Sequence, residues 1–404
     1  MKVMTTASVL VLAVLAGCAS RPDGTFGGDV AFLEKHTDVF VLADESGGAK
    51  VAVVPAYQGR VMSSTLAGDG GLSLGWINYE LVASGKTVPH MNAFGGEDRF
   101  WMGPEGGQFA IFFTKGKKFT FEDWQTPAVI DSEPYELVSK SAGEATFRKA
   151  ASLTNYSGAK FDLRIDRTIR LLDRKQAGTK LGLALAPEVQ AVVYESDNQI
   201  TNTGKNAWQK ATGLLSIWIL SMYNPTPQTT VVIPFVPGPE AKLGPKVKDD
   251  YFGKVPADRL IVKDDVLFFR CDGTCRGKIG LSPKRAKPIA GSYDAANKVL
   301  TLVQLTKPAG PADYVNSAWE HQKDPYAGAV VNSYNDGPPA PGEKPMGPFY
   351  EIESSSPAAA LKPGDSARHV HRTFHLHGSE KALDAIARKT LGVGLEEIVG
   401  AFGK

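Results

Sequence analysis

The densest concentration of chemically capable side chains lies between His90 and Gly107. It holds His90, Asn92, Glu97, Asp98, Arg99, Trp101 and Glu105, interrupted by Gly95, Gly96, Gly103, Gly106 and Gly107. Glycine lets a backbone approach a ligand closely. Arginine offers a rigid donor fork to hydroxyls or carboxylates. Tryptophan offers a flat apolar face of the kind that packs on the C–H side of a sugar ring. The segment therefore reads as a binding loop for a hydroxyl-rich molecule. A tight turn whose Glu97, Asp98 and Arg99 pair with one another is the competing reading. The glycine spacing is not that of a phosphate loop, because no Lys-Ser/Thr pair and no helix follow.

Three further groupings carry potential chemistry. Glu320 and His321 place a carboxylate beside an imidazole, the side chain best suited to proton transfer near neutral pH. Glu351 and Glu353 are two apart in an apolar run, so a strand would put both carboxylates on one face, about 7 Å apart. Their mutual repulsion, if buried, would raise one pKa and make that residue a candidate base. Finally, His369, His371, His375 and His377 alternate with Val370, Arg372, Phe374 and Leu376. As a strand this segment has one imidazole face. His369 and His371 could present two nitrogens to one divalent metal ion, while a polar face lining a groove needs no metal. No other cofactor is expected.

Strands must position these groups. Short β-branched or aromatic runs bounded by Gly, Pro, Asn or Asp occur at residues 39–42, 51–54, 109–113, 161–165, 189–193, 229–233, 299–303 and 329–331. The 42 glycines and 26 prolines suit many turns. Helical periodicity is confined mainly to the end, where Ser379 can cap a helix carrying Leu383, Ile386 and Leu391 on one side. Residues 237–254 read as a long surface loop. The fold class expected is mainly β, a large antiparallel β-sandwich forming a single domain over residues 31–404, with a C-terminal helix from about 379.

The chain begins Met1-Lys2, followed by an apolar run at residues 8–16 and then Gly17-Cys18. That pattern reads as a signal peptide over residues 1–17, too short to span a bilayer. Leu15-Ala16-Gly17-Cys18 resembles the lipobox of bacterial lipoproteins. It implies that Cys18 is lipidated; the non-acidic Ala19 that follows favours the outer membrane, facing the periplasm, and the Gly-, Ser- and Asp-containing residues 18–30 read as a tether. A net charge of +2 gives no reason to expect nucleic acid. The remaining cysteines, Cys271 and Cys275, flank Asp272-Gly273-Thr274 between two apolar runs. This spacing predicts a hairpin with the two sulfurs facing each other, as a disulfide; two free thiols, or a metal site that would need further soft ligands, are the alternatives.

Several stretches in order resemble the galactose-mutarotase-like superfamily, the aldose 1-epimerase β-supersandwich. Residues 51–61 resemble its opening hairpin, and Thr201-Asn202-Thr203-Gly204 its mid-domain turn. Glu351-Ile352-Glu353, followed by Pro357 and Leu361-Lys362-Pro363-Gly364-Asp365, is similar to its C-terminal segment. The loop Gly95-Gly96-Glu97-Asp98-Arg99-Phe100-Trp101-Met102-Gly103-Pro104-Glu105 resembles a branch found in bacterial lipoproteins. The resemblance implies a catalytic glutamate, best matched by Glu353. The acid histidine of the family has no direct match, and His90 and His321 are the candidates. The expectation is a lipid-anchored protein that binds a carbohydrate in a groove, with sugar epimerisation or mutarotation by general acid and base. Asn92, Glu97, Asp98, Arg99, Trp101, Glu105, Glu320 and His371 would contact the sugar. The alternatives are non-catalytic carbohydrate recognition, or a glycoside hydrolase or lyase using two of Glu97, Asp98, Glu105 and Glu353.

Overall fold

The computed structural model describes residues 23–403. The apolar leader and Cys18 lie outside the described residues. Thr25 caps helix α1 (Phe26–Glu34), accepting the Gly28 N–H on its hydroxyl at 3.1 Å. Phe26, Phe32 and Leu33 are buried, so the segment expected to be a tether through residue 30 belongs to the folded body from Thr25 onward.

Three antiparallel sheets carry the molecule. Strands β1 (Phe40–Ala43), β2 (Lys50–Val54) and β3 (Arg60–Thr65) form a small N-terminal sheet, with α2 (Tyr79–Ser84) following. Next in the chain come β4 (Arg99–Gly103), α3 (Ala128–Asp131), β5 (Glu136–Lys140), β6 (Glu144–Thr154), β7 (Lys160–Leu171), α4 (Arg174–Leu181) and β8 (Gln190–Asn202). They lead to β9 (Ser216–Tyr223), β10 (Thr229–Pro234), α5 (Glu240–Leu243), β11 (Leu260–Val262), β12 (Val266–Arg270) and β13 (Gly277–Leu281). The last third holds β14 (Ile289–Asp294), β15 (Val299–Leu305), β16 (Val331–Asn335), β17 (Tyr350–Ser355), β18 (Ser366–His377), α6 (Glu380–Leu391) and α7 (Leu395–Gly400). A ten-stranded sheet runs in the order β11-β12-β10-β14-β15-β18-β8-β7-β6-β5. A five-stranded sheet runs β13-β16-β17-β9-β4. The mainly β, antiparallel sandwich expected is the fold observed.

Each strand's two-residue period decides what it buries. Val192, Tyr194 and Ile200 of β8 join Phe100, Met102, Ile217 and Ile219 of the five-stranded sheet in one core. On the other side of the large sheet, Val193, Phe374 and Leu376 pack beneath Leu383, Ile386, Ala387, Leu391 and Ile398. Helices α6 and α7 thus cover the outer face. Ser379 caps α6 by accepting the Ala382 N–H at 3.2 Å.

Two expectations are corrected. Residues 109–113 are not a strand. The run is apolar because Ala110, Ile111, Phe112 and Phe113 are buried in irregular backbone. Cys271 and Cys275 are free thiols. The strands flanking them never pair with each other: β12 belongs to the ten-stranded sheet and β13 to the five-stranded one. The segment between them therefore crosses from one layer to the other and is not a hairpin turn.

Candidate functional site

Register fixes which residues share the outer face of the five-stranded sheet, because directly opposed residues project to the same side. One row is Asn332, Glu353, Leu220 and Arg99. A second is Lys278, Tyr334, Glu351 and Met222. A third is Ser355, Trp218 and Trp101. Over this face lies a cavity of about 910 Å³, whose walls include Trp218, Lys278 and Asn332 from the strands. Loops complete it with His90, Glu105, Phe121, Trp124 and Trp319 on one side and Lys248, Tyr251, Phe252 and Arg276 on the other.

Beneath the floor, two ion pairs tie the strands. Glu353 and Arg99, expected to contact the ligand, and Glu351 are buried and do not line the cavity; only Lys278 of these four charges reaches it. Lys278 Nζ lies 2.9 Å from Glu353 Oε1 and 3.0 Å from Oε2, and the Trp218 indole N–H donates to Oε2 at 2.9 Å. Burial lowers the Lys278 pKa, but the Glu353, Glu105 and Glu351 carboxylates together outweigh it and hold the ammonium above its ordinary value. Arg99 donates to Glu351 Oε1 at 2.8 Å, and its guanidinium lies 4.5 Å from the Trp101 ring centroid. Burial, reinforced by Glu353 and opposed by Arg99, pushes Glu351 up. Each charge has a partner, as charge in a largely dry site requires.

Glu105 is different. It follows β4 directly and lies partly buried in the wall. Burial raises its carboxyl to about 7, against the pull of Lys278 and the indole N–H groups of Trp319 and Trp124. The Trp319 bond to Oε1 is 3.1 Å. A carboxyl with this pKa exchanges its proton at neutral pH, the condition for general acid or base work. On the same wall, His90 Nδ1 is 2.6 Å from the Trp124 carbonyl, which can only accept, so Nδ1 is the donor.

The other expected site residues go elsewhere. Glu320 reaches the cavity rim, but His321 turns outward, exposed, against Phe119 at 5.4 Å and Tyr156 at 6.0 Å. It is not a wall residue. Asn92 is a brace for its loop: its backbone N–H and side-chain amide both donate to Asp131, and its oxygen accepts the Val88 N–H. Glu97 and Asp98 lie between the sheets. Glu97 Oε2 takes hydrogen bonds from Ser64, Tyr194 and His375, and Asp98 pairs with Arg167 at 2.7 Å, both fully buried. Trp101 stands behind Trp218, ring centroids 5.6 Å apart. His371 also points between the sheets. Ser354 Oγ is 2.8 Å from both His371 Nδ1 and His369 Nε2. Burial pushes the two imidazoles down to about 4 and about 3, so both are neutral. Among the described residues, no group of three or more His, Cys, Asp or Glu could hold a metal ion.

Sequence reasoning missed Lys278, Trp218, Trp124, Tyr251 and Asn332. One signal was present. In Lys278-Ile279-Gly280-Leu281, alternation sets a lysine and a glycine opposite two apolar residues. Gly280 is needed because a Cβ there would collide with the Tyr251 hydroxyl and the Asn332 amide.

A family model described as a family of unknown function, DUF6786, matches residues 24–402. The chain belongs to this family. No curated protein matches it. Among solved structures, the DUF6786 chain is similar to the Slr1438 protein from Synechocystis sp. PCC 6803, at 12% identity and a TM-score of 0.48, covering 85% of this chain and 96% of that one. It is similar to a galactose mutarotase-like protein from Lactobacillus casei ATCC 334, at 11% identity and a TM-score of 0.47, covering 84% and 100%. A galactose mutarotase related enzyme from Lactobacillus acidophilus gives 11% identity and a TM-score of 0.44, covering 84% and 98%.

Proposed function

We propose that this DUF6786 protein binds a carbohydrate in the cleft over its five-stranded sheet and transfers a proton on it, as ring opening or epimerisation requires. The observation that carries the reading is Glu105. Its carboxyl titrates at about 7 on a wall shared with Trp124, Trp218 and Trp319. Indole faces suit the C–H side of a sugar, and a carboxyl poised near neutral pH suits its hydroxyls. Glu105 exchanges the proton. Glu353, both of its oxygens engaged, orients the ring through Lys278 and Trp218, and His90 is the second proton carrier on the Glu105 side. A hydrolase reading using Glu97 or Asp98 loses support, because both are committed between the sheets.

The test begins with a thermal-shift screen of mono- and oligosaccharides, followed by turnover of any sugar that binds. Glu105→Gln should keep binding and lower the rate by about 10²–10⁴. Unchanged turnover in that variant would refute the role. Binding with no wild-type turnover would favour pure carbohydrate recognition, a reading supported by the pairing of both carboxylates beneath the floor. For location, we propose a lipid anchor on Cys18 and a periplasm-facing position at the outer membrane. The support is the Leu15-Ala16-Gly17-Cys18 tetrad, and no described helix is long and apolar enough to cross a membrane.

A further inference from the structure

We infer that the cleft takes an extended glycan of two or more rings laid across the strands, not a single sugar; this rests on the carbohydrate reading above. Its volume of about 910 Å³ is the first reason. That is near the top of the ~300–1,000 Å³ range of clefts that enclose drug-sized ligands, so one hexose would leave most of it to water.

Aromatic surfaces stand at both ends. On the β4 side, Trp124 stacks on Phe112 at 5.9 Å, and Phe112 contacts Trp101 of β4 at 5.3 Å. Phe121 extends this platform outward, its ring 6.0 Å from Trp124. On the β13 side, Lys248 and Gly280 exchange backbone hydrogen bonds of 2.9 and 2.8 Å, which lays residues 248–252 along that edge. Tyr251 is fixed there by the Asn332 amide at 3.1 Å, and Phe252 meets Tyr334 at 5.8 Å and carries the Arg276 guanidinium at 4.0 Å. Five strands at ~4.8 Å spacing place these two edges about 19 Å apart. That span is wider than one sugar ring.

Exposure gives the third reason. Phe121 is 58% and Phe252 49% exposed, although both line the cavity. Large rings left in water at both ends of a polar-floored cleft are covered when sugar rings stack on them. A monosaccharide held at Glu105 and Trp218 would leave Phe252 exposed.

The test is a printed array carrying neutral and uronate glycans from one to six rings, probed with the purified protein and with Phe121→Ala and Phe252→Ala. Both substitutions lie at exposed positions, so folding should survive. For the glycan that binds, affinity should rise at least tenfold from one ring to three. Each variant should weaken the longer chain about five- to tenfold, the scale of one aromatic contact, and Phe252→Ala should leave the monosaccharide unchanged. A monosaccharide bound as tightly as its own oligomers overturns the extended ligand and leaves the carbohydrate reading standing. Signal from no glycan of any length overturns both.

Discussion

Replacing Trp319 by Phe tests how the Glu105 carboxyl is tuned. Trp319 Nε1 donates to Glu105 Oε1 at 3.1 Å, while its ring packs against Phe113 at 5.2 Å and Trp124 at 5.8 Å. Phenylalanine keeps much of the ring contact and deletes the donor. A hydrogen bond to an ionised group contributes ~1.5–3 kcal/mol, and ~1.4 kcal/mol corresponds to one pH unit. Glu105 is only partly buried, so the lower end applies. The sign follows from which form the bond favours. The indole N–H stabilises the carboxylate, so its loss moves the midpoint upward from about 7 by about one unit. At pH 7 the ionised fraction then falls from about one half to about one tenth. Titration of protein carrying ¹³C-carboxyl glutamate, with Glu105→Gln to identify the resonance, reads the midpoint directly. A midpoint that stays put or moves down would show that the indole does not hold this carboxylate, and the account of the cleft wall would fall with it.

Lys278→Met leaves Glu353 buried without its cation and should cost about 3–5 kcal/mol. At ~2.1 cal/mol/K per residue over the described residues 23–403, that is a Tm drop of about 4–6 °C. Scanning calorimetry should show it, and the double variant Lys278→Met/Glu353→Leu should recover most of it; a single variant melting with the wild type would count against a dry floor. His369 and His371, held down to about 3 and about 4, should give imidazole resonances that do not titrate between pH 8 and 5. Their contribution to folding should weaken as pH falls below ~6.5, because the unfolded chain takes up protons that the folded one refuses; titration near 6.5 in the folded state would refute their burial. Without reductant, Cys275 should alkylate in the folded protein and Cys271 only after unfolding, since burial pushes the Cys271 thiol up; intact mass showing neither alkylated after unfolding would restore the disulfide. Cys18→Ser should release the protein from the membrane fraction, and retention there would argue against the lipid anchor.

What could be read from the residues followed from period two. Alternation along 369–377 correctly separated an imidazole face from an apolar one. The two-residue spacing of Glu351 and Glu353 correctly set both on one face. What could not be read was which layer each face meets. His369 and His371 close against Ser354 across the sandwich, a contact between β18 and β17 that no local pattern encodes. Glu97, Asp98 and Glu105 look alike within nine positions, yet the first two turn inward to His375 and Arg167 while the third enters the cleft. Apolarity at 109–113 reported burial correctly and backbone form incorrectly. Around Cys271 the apolar runs were real strands, but turn chemistry alone could not tell pairing from passage between sheets.

The position of β18 has a consequence for the order in which the molecule assembles. It is the last strand made, yet it sits between β15 and β8, twelve residues paired on one side and seven on the other. Until it inserts, the large sheet exists as two unjoined halves, one built from residues 136–202 and the other from 229–305. The layer that supports the cleft therefore closes only when the C-terminal part of the chain arrives. Such distant pairing is slow, because loop-closure entropy must be met before the contacts repay it. Growing chains thus carry two open β edges from the completion of β15 until β18 is made, a state that invites association with other chains. A truncation before Ser366 should leave those edges permanently unpaired, and the product should aggregate instead of folding as a smaller domain.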